Sequence, residues 1–190
     1  MDIIVELFSH ICGRGRCFVI DGEALPLCQR CLGLYLGAAV TAAWITARRV
    51  WSRGAPPGGV LTVQAAALLA AMLGGLHVIE GGPAWRLACG LWTGHVALVW
   101  LVAGAAELRQ FDRPRWPLGD TVTAQAVIPL LGLAAVGFAA YSPPPRLLWT
   151  VLALAGLACL ASAVILAAAA AAGRLGRVAQ PGKAVPPARL

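Results

Sequence analysis

Four of the six cysteines, Cys12, Cys17, Cys28 and Cys31, lie within a stretch of twenty residues in the spacing C-x4-C-x10-C-x2-C. Two close pairs separated by a loop are the usual sequence form of a tetrahedral four-cysteine metal site, zinc above all, since each pair grips the ion from one side. The loop Asp21-Gly22-Glu23-Ala24 supplies a reversal between the two halves. The same thiols fit a second chemistry, a structural or redox-active disulfide, with Cys28-Gln29-Arg30-Cys31 as its C-x-x-C step. The plainest alternative is that they are buried and act as small apolar side chains. If the segment faces outward, oxidation is permitted and the disulfide gains ground.

The elements that must hold these thiols are membrane helices. The chain has 190 residues, 59% hydrophobic and 12% charged, with a mean hydropathy of +0.78. Soluble domains carry about 25% charged residues. A net charge of +7 is not a nucleic-acid signal, because the basic residues stand in small groups between apolar runs, as in Arg48, Arg49 and Arg53 or Arg109, Arg113 and Arg115. Nucleic-acid binders gather them in a patch or stripe. The expected fold is all-α, a polytopic integral membrane protein of about five helices in the lipid bilayer.

A crossing needs about 20 predominantly apolar residues. Five segments qualify: Leu27 to Val50, Val60 to Ile79, Trp85 to Leu108, Val122 to Tyr141 and Leu147 to Ala172. Pro- and Gly-rich breakers separate them. This predicts an N-terminal Cys-rich segment over 1–26, a five-helix bundle over 27–172 and a basic flexible tail over 173–190. The N-terminus is acidic and carries no basic region of the signal-peptide type. With the C-terminus cytoplasmic, ten Lys or Arg fall inside against five outside. The positive-inside rule therefore sets the Cys-rich segment outside. Trp51, Trp85, Trp116 and Trp149 read as interfacial anchors.

The stretches Ile11-Cys12, Arg16-Cys17-Phe18, Gly22 and Leu25-Pro26-Leu27-Cys28-Gln29-Arg30-Cys31-Leu32-Gly33-Leu34-Tyr35-Leu36-Gly37 resemble a prokaryotic membrane family, domain of unknown function 2085. That family shows a Cys-His-Gln start, an Arg-Ser-Phe segment, and Leu-Pro-Leu-Cys-x-Arg-Cys-x-Gly-Ile-Tyr-x-Gly opening its first long helix. Arg86-Leu87-Ala88-Cys89-Gly90, followed by Gly94, is similar to its Arg-x-x-Thr-Gly-x-x-x-Gly. Two departures matter. The family's His after the first Cys is Gly13 here, and its Ser before Phe is Cys17. A set of three cysteines and a histidine thus becomes four cysteines with one ligand moved, and Cys and His are interchangeable zinc ligands. The resemblance implies a prokaryotic inner-membrane fold and a cysteine motif, not a reaction.

Helix geometry then brings the unusual residues to one end. Cys28 and Cys31 open the first helix, His77 and Glu80 close the second on that side, and Arg86 and Cys89 open the third. Arg30, His77, Glu80 and Arg86 are expected to line a polar pocket there. His95 falls near mid-membrane, too deep to share a haem with His77. Gly33 and Gly37, like Gly90 and Gly94, form G-x-x-x-G steps that allow helices to approach closely. Helices one and three are expected to pack on these steps and bring Cys89 near the Cys28/Cys31 edge.

Three functions compete on these residues. In the first, Cys12, Cys17, Cys28 and Cys31 hold a zinc-like ion that caps the bundle. In the second, Cys28 and Cys31 work as a thiol–disulfide oxidoreductase linked to a quinone, with Cys89 as a resolving thiol. In the third, the chain is a structural subunit that assembles with other membrane proteins. No nucleic-acid partner is expected in any of them.

Overall fold

The fold is taken from a computed structural model, which describes residues 17–20, 22–48, 56–75, 82–109, 127, 130–132, 134, 137 and 146–178. Two short strands, β1 (Cys17–Ile20) and β2 (Glu23–Cys28), are followed by α1 (Gln29–Arg48), α2 (Gly58–Gly75), α3 (Pro83–Arg109) and α4 (Arg146–Val178). The helices α1, α3 and α4 are each long and apolar enough to cross a membrane, while α2 supplies a shorter apolar stretch, Gly58–Leu73. The expected fourth span lies mostly outside the described residues; within it Val127, Leu130, Leu131, Gly132, Ala134 and Gly137 are helical. The last helix continues past Ala172 to Val178, into what the sequence suggests is tail.

The seam between α1 and α3 is closely packed along its length, and glycine makes it possible. A Cβ added at Gly33 would run into the Leu87 carbonyl oxygen, and one at Gly37 into that of Leu91. From the other side, a Cβ at Gly90 would strike the Arg30 carbonyl and one at Gly94 the Leu34 carbonyl. Four missing side chains thus let backbone touch backbone, as the G-x-x-x-G steps predict. Residue numbers rise together along the seam, so α1 and α3 run parallel. Gly156 of α4 meets the Tyr35 carbonyl in the same way. Trp149 packs near Leu32, and Ala163 near Ala42 and Ile45, so α4 is parallel to α1 as well.

Two apolar clusters fill the space between these three helices. One holds Leu25, Leu27, Leu32, Tyr35, Leu36, Leu87, Leu91, Trp149 and Ala153, at the end where the helices start. The other holds Ala42, Ile45, Leu98, Val99, Val102 and Ala163, with Cys159 packed against it. Outward faces remain apolar, including Leu69, Met72, Val151, Ile165 and Leu166, which suits contact with lipid.

The buried amide, hydroxyl and imidazole side chains among the described residues each have a partner. Among the described residues Gln29, Thr41, Gln64 and His95 are buried. Gln29 accepts from Arg86, Thr41 contacts His95, and Gln64 accepts from the Trp100 indole N–H at 2.8 Å. Thr46, Thr62 and Thr93 each donate to the carbonyl four residues back, which removes their hydroxyls from lipid.

Candidate thiol site

The site begins with a hairpin. Ile20 stands opposite Glu23 and Val19 opposite Ala24, around a turn that holds Gly22 at φ 79°. Only glycine adopts that conformation without cost, so the reversal falls where the sequence suggests. Continued unbroken, this register would set Cys17 opposite Pro26, which has no N–H to give to a ladder. The pairing slips between Cys17 and Val19, and Cys17 stands opposite Cys28 instead. A shift of two residues keeps the same side chains on the same face. Leu25 and Leu27 therefore stay buried at 3% and 1% exposure, anchoring the hairpin on α1 and α4.

Cys28 ends the strand and caps the helix that follows. Helix α1 starts at Gln29, two residues later than the expected Leu27, which places Cys28 at the N-cap and Cys31 in the first turn. The Cys31 backbone N–H donates to Cys28 Sγ at 3.4 Å. A capping side chain satisfies one of the N–H groups that a helix start leaves open. Here the cap is sulfur, and the N–H pointing at it stabilises negative charge on that atom. Cys17, Cys28 and Cys31 are half-buried thiols, and all but Cys17 pack against the apolar cluster below.

The rest of the polar set is brought to the same end in part. Arg86, in the first turn of α3, donates from a guanidinium N–H to Gln29 Oε1 at 3.3 Å. Arg30 is the charged neighbour of Cys89, which is 7% exposed beside the close glycine contact at Gly90. Cys12, His77 and Glu80 lie outside the described residues. Among those described, no three His, Cys, Asp or Glu side chains gather closely enough to hold a metal ion. The described thiols therefore do not make a metal cage by themselves.

Two features escape a reading of spacing alone. The first is Trp149: it is 8% exposed, inside the cluster that also supports Cys28 and Cys31, and not an anchor at the lipid surface. Its indole N–H is buried with no acceptor among the described residues. The second is the link between Thr41 and His95, which fixes where the buried His95 sits. A tryptophan at a span end is usually interfacial, and only the tertiary contact with β2 and α1 draws this one inside.

Residues 12–100, a little under half of the chain, match the model of the family described as "Predicted membrane protein (DUF2085)". No curated protein and no solved structure is similar enough to the chain to match it. The match covers the hairpin, α1, α2 and most of α3, so it contains every thiol of the site. It supports a membrane protein and assigns it no reaction.

Proposed function

We propose that this membrane protein works as a thiol–disulfide oxidoreductase through Cys28 and Cys31. One observation carries the reading: Cys28 Sγ accepts the Cys31 N–H at the start of a helix that enters the apolar region. Sulfur held this way is the geometry of a nucleophilic C-x-x-C pair. In the working step Cys28 and Cys31 join, and two electrons and two protons leave. The acceptor class is a quinone dissolved in the bilayer, which departs as the quinol. A protein dithiol on the outer side then reduces the Cys28–Cys31 disulfide by exchange and is oxidised in turn. Orientation follows the charge count, with the thiol end outside.

The residues around the pair suit such an acceptor. Trp149 offers a buried indole N–H that no described group uses, a donor for a quinone carbonyl. Arg86 and Gln29 fix the first turns of α3 and α1 beside it. These groups would orient the acceptor; the transfer itself belongs to the sulfur atoms. In oxidised full-length protein, peptide mapping under non-reducing conditions is expected to recover Cys28 joined to Cys31. Both thiols remaining alkylatable after oxidation would reject the reading.

A second reading starts from the pairing of Cys17 with Cys28. As placed, Cys17, Cys28 and Cys31 do not gather closely enough to hold an ion, so this reading requires them to draw together around one. With Cys12 as the fourth ligand, the set would hold a zinc-like ion that ties residues 1–26 to the bundle end. Stoichiometric zinc in protein purified without chelator, lost in Cys12→Ser, is the result that reading requires.

A further inference from the structure

We infer that Cys17 is a third working thiol and that Cys28 is shared between two alternative disulfides, Cys28–Cys31 and Cys17–Cys28. The inference rests on the reading of Cys28 and Cys31 as a redox pair and adds the residue that receives or delivers the disulfide on the hairpin side. Its ground is the slipped register. An unbroken hairpin would waste Cys17 on Pro26, and the shift between Cys17 and Val19 sets it opposite Cys28. Residues directly opposite in an antiparallel pair have Cα atoms about 4.5–5.5 Å apart with side chains on one face. That lies inside the range of about 4.4–6.8 Å that a disulfide spans. One turn of α1 separates Cys28 from Cys31 on its other side. Cys28 thus faces Cys17 across the hairpin and takes the Cys31 N–H one turn further along the chain.

The exchange conserves electrons. The Cys17 thiolate attacks the Cys28 sulfur of the Cys28–Cys31 disulfide. The Cys17–Cys28 bond forms, the Cys28–Cys31 bond breaks, and Cys31 leaves as the thiolate. The proton given up by Cys17 passes to solvent. Cys31 departs in the first turn of a helix, where the exposed N–H groups favour negative charge, so it is a good leaving group. The effect is to carry the oxidising bond from the edge of the lipid to the hairpin, where Val19 and Ala24 are exposed and a protein dithiol can approach. The chemical class of partner for the Cys17–Cys28 bond is therefore an extended peptide thiol, not a lipid-soluble molecule.

Tryptic mapping separates the two bonds cleanly. Cleavage after Arg16 and Arg30 puts Cys17 and Cys28 on one peptide and Cys31 on the next. Full-length protein in detergent is oxidised, alkylated and digested without reductant. Wild type is expected to give the peptide pair joined through Cys28–Cys31. Cys31→Ser is expected to lose both remaining site thiols and give a single looped peptide with Cys17 bonded to Cys28. If wild type forms Cys28–Cys31 while Cys31→Ser keeps Cys17 and Cys28 alkylatable, or joins Cys28 to Cys12, the shared-sulfur inference fails and the redox pair stands. If wild type forms no Cys28–Cys31 bond, the redox pair itself fails. Should Cys31→Ser not accumulate, partial oxidation of wild type serves instead: a looped Cys17–Cys28 peptide beside the joined pair supports the inference, and the joined pair alone overturns it.

Discussion

Thr41 Oγ1 lies 3.0 Å from His95 Nδ1 across the α1–α3 seam, and the same hydroxyl donates to the Gly37 carbonyl at 2.7 Å. A threonine has one proton to give, and the shorter bond takes it. His95 must therefore carry its hydrogen on Nδ1 and donate it to Thr41. Both residues are fully buried. Thr41→Val keeps the shape and removes the acceptor, leaving the imidazole N–H without this partner. The expected loss of stability is about 1 kcal/mol, read by unfolding in mixed micelles, within the range measured for such bonds in membranes. Unfolding at the wild-type denaturant concentration would show that the contact contributes nothing.

The glycine seam makes a sharper prediction, because it has an internal control on the same helix. Gly90→Ala must push the Arg30 carbonyl away, whereas a Cβ at Gly104 meets nothing within 4 Å. Gly90→Ala is expected to cost about 1–3 kcal/mol, the usual toll of overpacking. Gly33→Leu should do worse. Gly104→Ala should be neutral or stabilising by up to about 1 kcal/mol, from helix propensity alone. Equal melting of the Gly90 and Gly104 variants would count against the close approach of α1 and α3.

Helix α2 touches the bundle through α3, and across that contact the Trp100 indole N–H donates to Gln64. Gln64→Leu exchanges that tie for an apolar side chain of similar size. The indole of Trp100 is 40% exposed and can turn toward the surface. A stability loss of about 0.6 kcal/mol is expected, with proteolysis increasing first at the ends of α2. A loss several times larger would mean that Gln64 supports more than this contact.

Trp149 separates binding from packing at the thiol end. Trp149→Phe retains most of the ring that fills the cluster with Leu27 and Leu32, but removes the N–H. The fold should survive with a change of no more than about 1 kcal/mol. Oxidation of the thiols by a short-chain quinone should slow severalfold, while oxidation by a water-soluble disulfide should not change. Equal rates with both oxidants would remove Trp149 from the site.

Much of this molecule can be read from its residues, and the parts that cannot have physical reasons. Apolar length alone marks α1, α3 and α4, since nothing else tolerates runs such as Leu147 to Ala172. The pairing of Gly33 and Gly37 with Gly90 and Gly94 is legible because small residues at that spacing have one main use in a membrane. The hairpin is harder. Leu25-Pro26-Leu27 contains a proline that argues against a strand, and the strand survives only by slipping its register around it. Cys28 consequently ends a strand and caps a helix, a double role that spacing cannot reveal. His95 is visible as a mid-span residue, but its bond to Thr41 depends on the axial offset of α1 against α3, which only packing decides.

The central claim is that Cys28 and Cys31 exchange electrons with an acceptor in the bilayer. Fully reduced protein in lipid nanodiscs, mixed without oxygen with one equivalent of a short-chain quinone, tests it most directly. The account predicts one quinol formed per chain and the simultaneous loss of the Cys28 and Cys31 thiols, with neither event in Cys28→Ser. Quinone left unreduced, with both thiols still alkylatable in wild-type protein, would contradict it.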